Sequence, residues 1–309
     1  MSLSGILNVL KTPGPSSHDV VARLRRILGM RRIGHAGTLD PGAAGVLPIL
    51  IGRATKLMPF LLEHPKEYRA EMTLGIATDT QDASGKTTHV ATDFSLPPAA
   101  LGDAMASFLG EIEQIPPMAS AVKHRGRRLY ELAREGETVE RTPRPVHIYS
   151  LHVRAVFPRD TQRLVTGTRV LFDVACSSGT YVRTLCHDIG ERLGIGAHMS
   201  FLVRTAVGPF RLEESLTVEE IAARVEEGSL ELLLLPMESA LPHLPRLVVE
   251  PGDARRLREG QALPKQAARG AQDVPAGGLV RVVVEGEGLV CVARLDETGR
   301  RVQPVRVVG

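Results

Sequence analysis

The acidic residue with the clearest chemical potential is Asp40, which lies in a loop punctuated by glycine and proline. The loop region holds four glycines: Gly34, Gly37, Gly42 and Gly45. Because glycine has no Cβ, such a backbone can adopt unusual angles and approach a ligand closely. An aspartate followed by proline is also a common turn former, so the spacing supports a site residue or a simple turn.

Tyr68 is the aromatic residue best placed to meet a ligand. The chain has four tyrosines and no tryptophan, and Tyr68 begins an alternating segment of strand character that continues to Ile76. An aromatic ring held at the edge of a sheet is a stacking platform for a nucleobase. The alternative interpretation is an ordinary core tyrosine.

Arg183 follows the segment Cys176–Val182 and falls in the first turn of a predicted helix. A cation at that end opposes the helix dipole, so its position makes more sense if a carboxylate lies opposite. An exposed arginine costs little there, and this second interpretation stays open.

Several familiar kinds of site find no support. The histidines show no HExxH or paired Cys/His spacing, so no metal site is predicted. The glycine-rich loop fits neither GxxxxGK[ST] nor GxGxxG, and no GxSxG accompanies the serines. We therefore predict no cofactor. The three cysteines form no CxxC, which is typical of a reducing cytosol and predicts a cytoplasmic protein.

Composition indicates an ordinary globular chain. Its 309 residues are 43% hydrophobic and 24% charged, and length alone suggests about two domains. No apolar run reaches the ~18 residues of a membrane helix, and the first ten residues do not resemble a signal peptide. We expect no membrane association.

The net charge of +3 hides an uneven distribution. Residues 1–60 carry eight Lys/Arg and two Asp, a balance of +6, whereas residues 211–240 carry two Arg and eight Glu, a balance of −6. A further basic run spans residues 123–128. This pattern suggests one face for a polyanion and another turned to water, or simply solvated helix faces. The candidate RNA contacts are Lys11, Arg23, Arg26, Arg31, Arg32, Lys123, Arg125, Arg127 and Arg128.

Hydrophobic periodicity predicts the elements that carry these residues. Helices are expected after Ser16, over 97–109, after Gly179, over 216–235 and over 252–259. Strands are expected over 46–51, 68–76, 164–175, 279–284, 289–295 and 302–308. The proline-rich stretch 241–245 is the best domain boundary.

These residues resemble the TruB family of bacterial tRNA pseudouridine synthases, the enzymes for pseudouridine-55 in the tRNA T-loop. The likeness runs from Gly5 to about Val308. It is carried by these segments: Gly34–Pro41 continuing to Lys56, Tyr68-Arg69, Thr78–Gly85, Gln114–Pro117 with Ser120-Ala121-Val122-Lys123, Tyr130–Gly136, Ser178–Arg183 and Gly196–Thr205. The sequence departs from the family at Lys11-Thr12-Pro13-Gly14, where Lys-Pro-x-Gly is usual.

The resemblance implies an α/β (α+β) fold with a mixed, largely antiparallel sheet, flanking helices and a small, mostly β PUA-like domain. It implies a catalytic domain over 1–243, with an RNA-binding insertion at about 97–160, and a PUA-like domain over 244–309. It also implies a monomer that acts on tRNA without an obligate protein partner.

The resemblance further assigns residue roles. Asp40 would be the catalytic acid, Tyr68 the ring against the target base and Arg183 the partner of the carboxylate. Tyr181 and Leu202 would line the substrate pocket, and His35 would occupy the T-loop space vacated by the flipped base. Two functional alternatives remain. One is a guide-RNA-dependent pseudouridine synthase, and the other is a non-catalytic tRNA chaperone.

Overall fold

The computed structural model describes residues 3–120, 122–159 and 161–308. Ala121 of the quoted Ser120–Lys123 segment, and residue 160 at the end of the predicted insertion, lie outside the described residues. The helices are α1 (Ser17–Leu28), α2 (Met58–Glu63), α3 (Pro98–Ala106), α4 (Leu129–Arg134), α5 (Val182–Arg192), α6 (Val218–Glu226) and α7 (Pro251–Arg258).

The strands are β1 (Gly5–Lys11), β2 (Ile33–His35), β3 (Ala44–Ile51), β4 (Lys66–Leu74), β5 (Ile76–Thr78), β6 (Thr87–Val90), β7 (Gly110–Gln114), β8 (Lys123–His124), β9 (Arg127–Arg128), β10 (Arg144–Phe157), β11 (Arg169–Cys176), β12 (Ala197–Val207), β13 (Phe210–Arg211), β14 (Arg246–Val248), β15 (Leu263–Pro264), β16 (Leu279–Val284), β17 (Gly288–Leu295) and β18 (Arg301–Val307).

Contacts divide the chain into two units. Unit 1 contains residues 1–41, 45–64 and 207–309, and unit 2 contains residues 42–44 and 65–206. Each unit therefore draws on separated parts of the sequence. The predicted domains, 1–243 and 244–309, follow a different division and stay a prediction.

In unit 1, β3 pairs antiparallel with both β1 and β2. Helix α1 begins where its sequence predicts, because Ser16 and Asp19 form a reciprocal capping box at its start. It ends at Gly29, whose φ of 60° is left-handed. The apolar stripe of α1 packs in one cluster with β1, β3 and α6.

The C-terminal part of unit 1 is the small β module that the sequence predicts. Its five strands have the order β14-β16-β17-β18-β15, and α7 adds to their core. A second apolar cluster joins Val283, Val292 and Val308 of this module to Ile6 and Leu50 of the N-terminal segment. Within unit 1, the module and the N-terminal segment thus share a core.

Unit 2 is built on a sheet in which β12, β4, β11, β10 and β7 are successive neighbours. The β4–β11, β11–β10 and β10–β7 pairs are all antiparallel. The buried side chains of α5 include Val182, Leu185 and Ile189, which recur at helical spacing. The predicted mixed, largely antiparallel fold with flanking helices and a small β module is confirmed.

Two elements differ most from their predictions in extent. The strand expected over 164–175 begins only at Arg169, because the chain turns at Gly167, whose φ is 83°. The helix expected over 216–235 stops at Glu226, before Gly228 with φ 71°, and continues as a 3-10 turn over Leu230–Leu233. Glycine in the left-handed conformation explains both boundaries. None of the described helices is long and apolar enough to cross a membrane.

Candidate active site

Asp40 lies in the loop after β2 of unit 1, and the backbone is held on both sides of it. Before it, Ser17 Oγ donates to the Leu39 carbonyl at 3.1 Å and accepts from the Leu39 N–H at 2.9 Å. After it, the Pro41 carbonyl accepts from the N–H of Gly14 at 2.8 Å. Asp40 is half buried, and both of its neighbours are hydrogen-bonded to other parts of the chain. The backbone that carries its carboxylate is therefore well defined.

Lys11, at the end of β1, is fully buried. Its ammonium group donates to the carbonyl oxygens of Thr12 and Pro41, both at 3.1 Å. In this structure Lys11 secures the backbone beside Asp40, and its contact with RNA stays a prediction.

Tyr68 is half buried on β4 of unit 2, opposite Val174 of β11. Alternate residues of a strand share a face, so Tyr68 lies on the same side as Lys66 and the buried Ala70. Burial, and secondarily the guanidinium group of Arg204, lower the pKa of Lys66 to about 8. The face that carries Tyr68 therefore combines apolar side chains with an ammonium group that deprotonates easily.

Arg183 lies in the first turn of α5 and is only 5% exposed. Its Nη1 is 3.1 Å from Oδ2 of Asp82, so a carboxylate does offset this cation at the positive end of the helix dipole. Asp82 is a partner that the sequence analysis did not single out. The pairing of Arg183 with Asp40 stays a prediction.

The turn after β5 holds Asp82 in place. Oδ1 of Asp82 accepts hydrogen bonds from Thr80 Oγ1 at 2.8 Å and from the N–H and hydroxyl of Ser84 at 3.0 and 2.5 Å. The other oxygen is left for Arg183. Next to it, Gln81 Oε1 accepts from Thr184 Oγ1 of α5 at 2.8 Å. In the sequence, Thr78–Gly85 stood out only as a segment that carries the family resemblance. Its polar composition was the one sequence signal that it could hold Arg183.

The remaining predicted site residues fall in both units. His35 ends β2 in unit 1, half buried, and shares the Asp40 loop region. Tyr181 precedes α5 and is half buried, and Leu202 is buried on β12, both in unit 2 with Arg183. The structure thus brings Tyr181 and Arg183 together at the start of one helix, and His35 ends the strand that leads into the loop of Asp40.

The basic run forms an exposed hairpin in unit 2. Strands β8 and β9 pair Lys123 with Arg128, and the turn between them uses Arg125 at φ 48° and Gly126 at φ 88°. The side chains of Lys123, Arg125, Arg127 and Arg128 are all exposed. Arg127 also pairs with Glu135. This hairpin presents a concentration of positive charge suited to a phosphate backbone.

The basic and acidic segments of unit 1 are not fully separated. Arg23 of α1 forms an ion pair with Glu219 of α6, whereas Arg26, Arg31 and Arg32 are exposed. Within unit 1, the acidic segment therefore contacts the basic one at this ion pair. The reason is that α1 and α6 pack their apolar stripes into one cluster, which brings their polar edges together.

Among the described residues, no group of three or more His, Cys, Asp or Glu side chains could hold a metal ion. The described cysteines are free and buried. Burial raises the pKa of Cys176, just before the Tyr181 segment, to about 11. This thiol is therefore protonated near neutral pH.

Comparison with known proteins supplies the family. The model of the TruB family pseudouridylate synthase N-terminal domain matches residues 25–182, and that of the tRNA pseudouridylate synthase B C-terminal domain matches residues 183–242. The chain is 46% identical to tRNA pseudouridine synthase B of Pelotomaculum thermopropionicum, over 96% of this chain and 92% of that protein. It is 49% identical to the protein of the same name from Symbiobacterium thermophilum, over 84% and 83% of the two chains.

Solved structures agree. The chain is similar to a chain of a Cbf5-Nop10-Gar1 complex, with a TM-score of 0.75 and 31% sequence identity. The match covers 99% of this chain and 85% of the chain in that complex. It is also similar to a chain of an H/ACA RNP bound to a substrate RNA containing 2'-deoxyuridine, with a TM-score of 0.74 and 28% identity over 99% and 85% of the chains. Sequence, domain models and fold point to one group of enzymes, and this chain belongs to the TruB family of pseudouridylate synthases.

Proposed function

We propose that this enzyme isomerises the uridine at position 55, in the T-loop of tRNA, to pseudouridine. Two relatives that are 46% and 49% identical to this chain over 96% and 84% of its length are named tRNA pseudouridine synthase B. The structural observation that carries the proposal is the half-buried Asp40 carboxylate, in a loop held on both sides by Ser17 and by Gly14 with Lys11.

The reaction rearranges bonds within one nucleotide. The N1–C1′ bond breaks, the uracil turns, and a C5–C1′ bond forms while the proton leaves C5 and N1 ends protonated. No electrons enter or leave and no group is donated, so the chain needs only to expose, hold and polarise the nucleotide.

The uridine must leave its loop before the sugar–base junction can be reached. Extruding a nucleotide costs a few kcal/mol. Stacking on the Tyr68 ring returns ~1–3 kcal/mol of that cost, and His35 occupies the vacated space in the T-loop. Tyr68 and His35 are both half buried, so part of each side chain is available for contact.

Asp40 is the group that acts at the junction in this proposal. Its carboxylate attacks C1′, attacks C6 or removes the C2′ proton, and the residues are compatible with each of these first steps. Arg183 orients the carboxylate and stabilises charge, while Tyr181 and Leu202 bound the space in which the detached uracil turns. Tyr68 either only stacks or also takes part in removing the C5 proton through its hydroxyl.

The exposed basic residues bind the phosphate backbone in this proposal. Arg26, Arg31 and Arg32 of unit 1 and the β8–β9 hairpin of unit 2 supply the positive charge, and the enzyme acts as a monomer in the cytoplasm. Binding by phosphate contacts releases counterions, so affinity falls steeply with salt.

The test uses the purified chain with an unmodified tRNA transcript whose uridines carry tritium at C5, because forming the C5–C1′ bond releases that tritium. We expect release of one tritium per tRNA, mapped to position 55, without any guide RNA or second protein. A transcript with cytidine at position 55 is the control and should release none.

Three other results would overturn the proposal. Release that maps to a different position would contradict the assigned substrate nucleotide. Release that requires an added guide RNA would favour the guide-dependent alternative. The similarity to a chain of an H/ACA RNP complex is the reason for testing that alternative. Tight tRNA binding without release would favour a chaperone.

A further inference from the structure

Gln114 makes a pair of contacts that the predicted site leaves out. It is the last residue of β7, and it is 2% exposed. Its Oε1 accepts a hydrogen bond from the N–H of Tyr181 at 2.9 Å, and its Nε2 donates to the carbonyl of the same residue at 3.3 Å. A single side-chain amide therefore pairs with both backbone groups of Tyr181.

This pairing imitates a strand neighbour. Tyr181 has extended backbone angles, φ −103° and ψ 108°, and a primary amide presents one acceptor and two donors that match an extended peptide unit. The orientation of the amide is unambiguous, because the Tyr181 N–H requires the oxygen opposite it. Only asparagine and glutamine combine these groups, and asparagine is one methylene shorter.

Tyr181 is also the N-cap residue of α5, and it has no side-chain cap bond of its own. Its carbonyl accepts the first helical bond, from the N–H of Leu185 at 3.0 Å. The direction of the first turn, and hence of Arg183, thus depends on how the Tyr181 peptide groups are held. Gln114 holds them from β7, while Gln81 and Asp82 hold the next residues from the turn.

Resting on the proposed function, we propose that Gln114 is a positioning residue for the isomerisation. It fixes the backbone of Tyr181, so that the Tyr181 side chain bounds the uracil pocket and the guanidinium group of Arg183 keeps its orientation. Gln114 itself touches neither the nucleotide nor the reacting atoms.

Two nearly isosteric variants test this assignment. Gln114→Met removes both hydrogen bonds, and Gln114→Glu keeps an acceptor but, when ionised, loses the donor and repels the Tyr181 carbonyl. Single-turnover tritium release at saturating tRNA should fall by about tenfold or more in both variants near neutral pH, since small misplacements of reacting groups are costly. The affinity for tRNA should change little.

The pH dependence separates positioning from a general packing defect. A protonated carboxyl group again offers one donor and one acceptor, and burial favours that neutral form. The rate of Gln114→Glu relative to Gln114→Met should therefore rise by about tenfold as the pH is lowered from roughly 8 to 6. Because other titrating groups affect both variants alike, the ratio of the two rates reports the titration of the introduced carboxyl group.

The matched control is Asn8→Leu, which removes a different buried amide. Asn8 lies on β1 in unit 1, and its Nδ2 donates to the Arg211 carbonyl at 2.8 Å. The saturating rate of this variant should equal that of the wild type, even if it is less stable. Circular dichroism of each variant establishes which proteins are folded, and if Gln114→Met does not fold, the pH profile of Gln114→Glu relative to wild type decides.

The inference is wrong if the folded Gln114 variants react at the wild-type rate, lose only tRNA affinity, or show a flat ratio with pH. Failure of the proposed function looks different, because the wild-type chain itself would then release no tritium from position 55.

Discussion

The loop around Asp40 and the start of α5 hold their functional groups by different means. The loop is anchored through its backbone, by the hydroxyl of Ser17 and the ammonium group of Lys11. At the start of α5, Gln114 holds the Tyr181 backbone, but the functional groups of the helix are held through their own side chains, with Arg183 on Asp82 and Thr184 on Gln81. The first arrangement places a peptide segment, and the second sets the orientation of an individual charged group.

The difference has consequences for mutation. Loss of a backbone anchor in the loop leaves buried peptide groups unpaired and should cost stability as well as rate. A change in the geometry of a side chain at α5 should cost rate with little change in tRNA affinity.

Asp40→Asn should have the largest effect. The substitution keeps the size of the side chain and removes its negative charge, and the bonds of Ser17 to Leu39 and of Lys11 to Pro41 go to backbone groups that it leaves unchanged. Turnover should vanish while tRNA affinity and the denaturation midpoint stay close to those of the wild type. Tritium release measures turnover, filter binding measures affinity, and urea denaturation gives the midpoint. Turnover within about tenfold of wild type would remove Asp40 from the catalytic role.

Arg183→Lys should come next, with a loss of ~10² in single-turnover rate at saturating tRNA. Lysine keeps the charge but replaces a rigid planar fork with a point charge, so the contact with Asp82 and the proposed contact with Asp40 lose their fixed geometry. Arg154→Lys is the control, since Arg154 forms an arginine–aspartate pair in the same unit but is exposed, with Nε 2.6 Å from Asp173 Oδ2.

The control should react at the wild-type rate. If Arg183→Lys instead loses only affinity for tRNA, Arg183 is a phosphate contact. The account of how the carboxylate is oriented would then fail.

Ser17→Ala should have the smallest effect of the three, a loss of ~1–3 kcal/mol in the free energy of unfolding, because two buried peptide groups of Leu39 lose their partner. The rate should fall as well, since Leu39 precedes Asp40. The neighbouring Ser16→Ala removes the cap of the same helix, at a cost of ~1 kcal/mol, without touching the loop.

Urea denaturation measures the stability of the Ser17→Ala and Ser16→Ala variants, and single-turnover rates measure their function. The contrast holds if Ser17→Ala lowers both quantities and Ser16→Ala lowers only stability. Equal rates for the two variants would show that the backbone anchor contributes nothing to catalysis.

Local signals in the sequence predicted much of the fold. The start predicted after Ser16 is where α1 begins, because a helix start depends on residues within one turn of the boundary. The alternation after Tyr68 placed β4 for the same local reason. Glycine-dependent ends, such as the break before Arg169, were less accurately placed.

The candidate site was predicted only in part. Asp40, Tyr68 and Arg183 stood out by residue type and surroundings, and the resemblance assigned their roles. The contacts of Arg183 with Asp82 and of Gln114 with Tyr181 were not foreseen, since they span 101 and 67 residues of sequence. No periodicity or spacing rule connects positions so far apart.

The sequence by itself determined the types of group available, the local elements that carry them and the family. Only the tertiary structure decided that Lys11 is buried against the Asp40 loop, that Arg23 meets Glu219, and that Gln114 pairs with Tyr181. The physical reason is range: caps and periodicities act over a few residues, whereas a partner for a buried charge or amide is set by the packing of distant strands and helices.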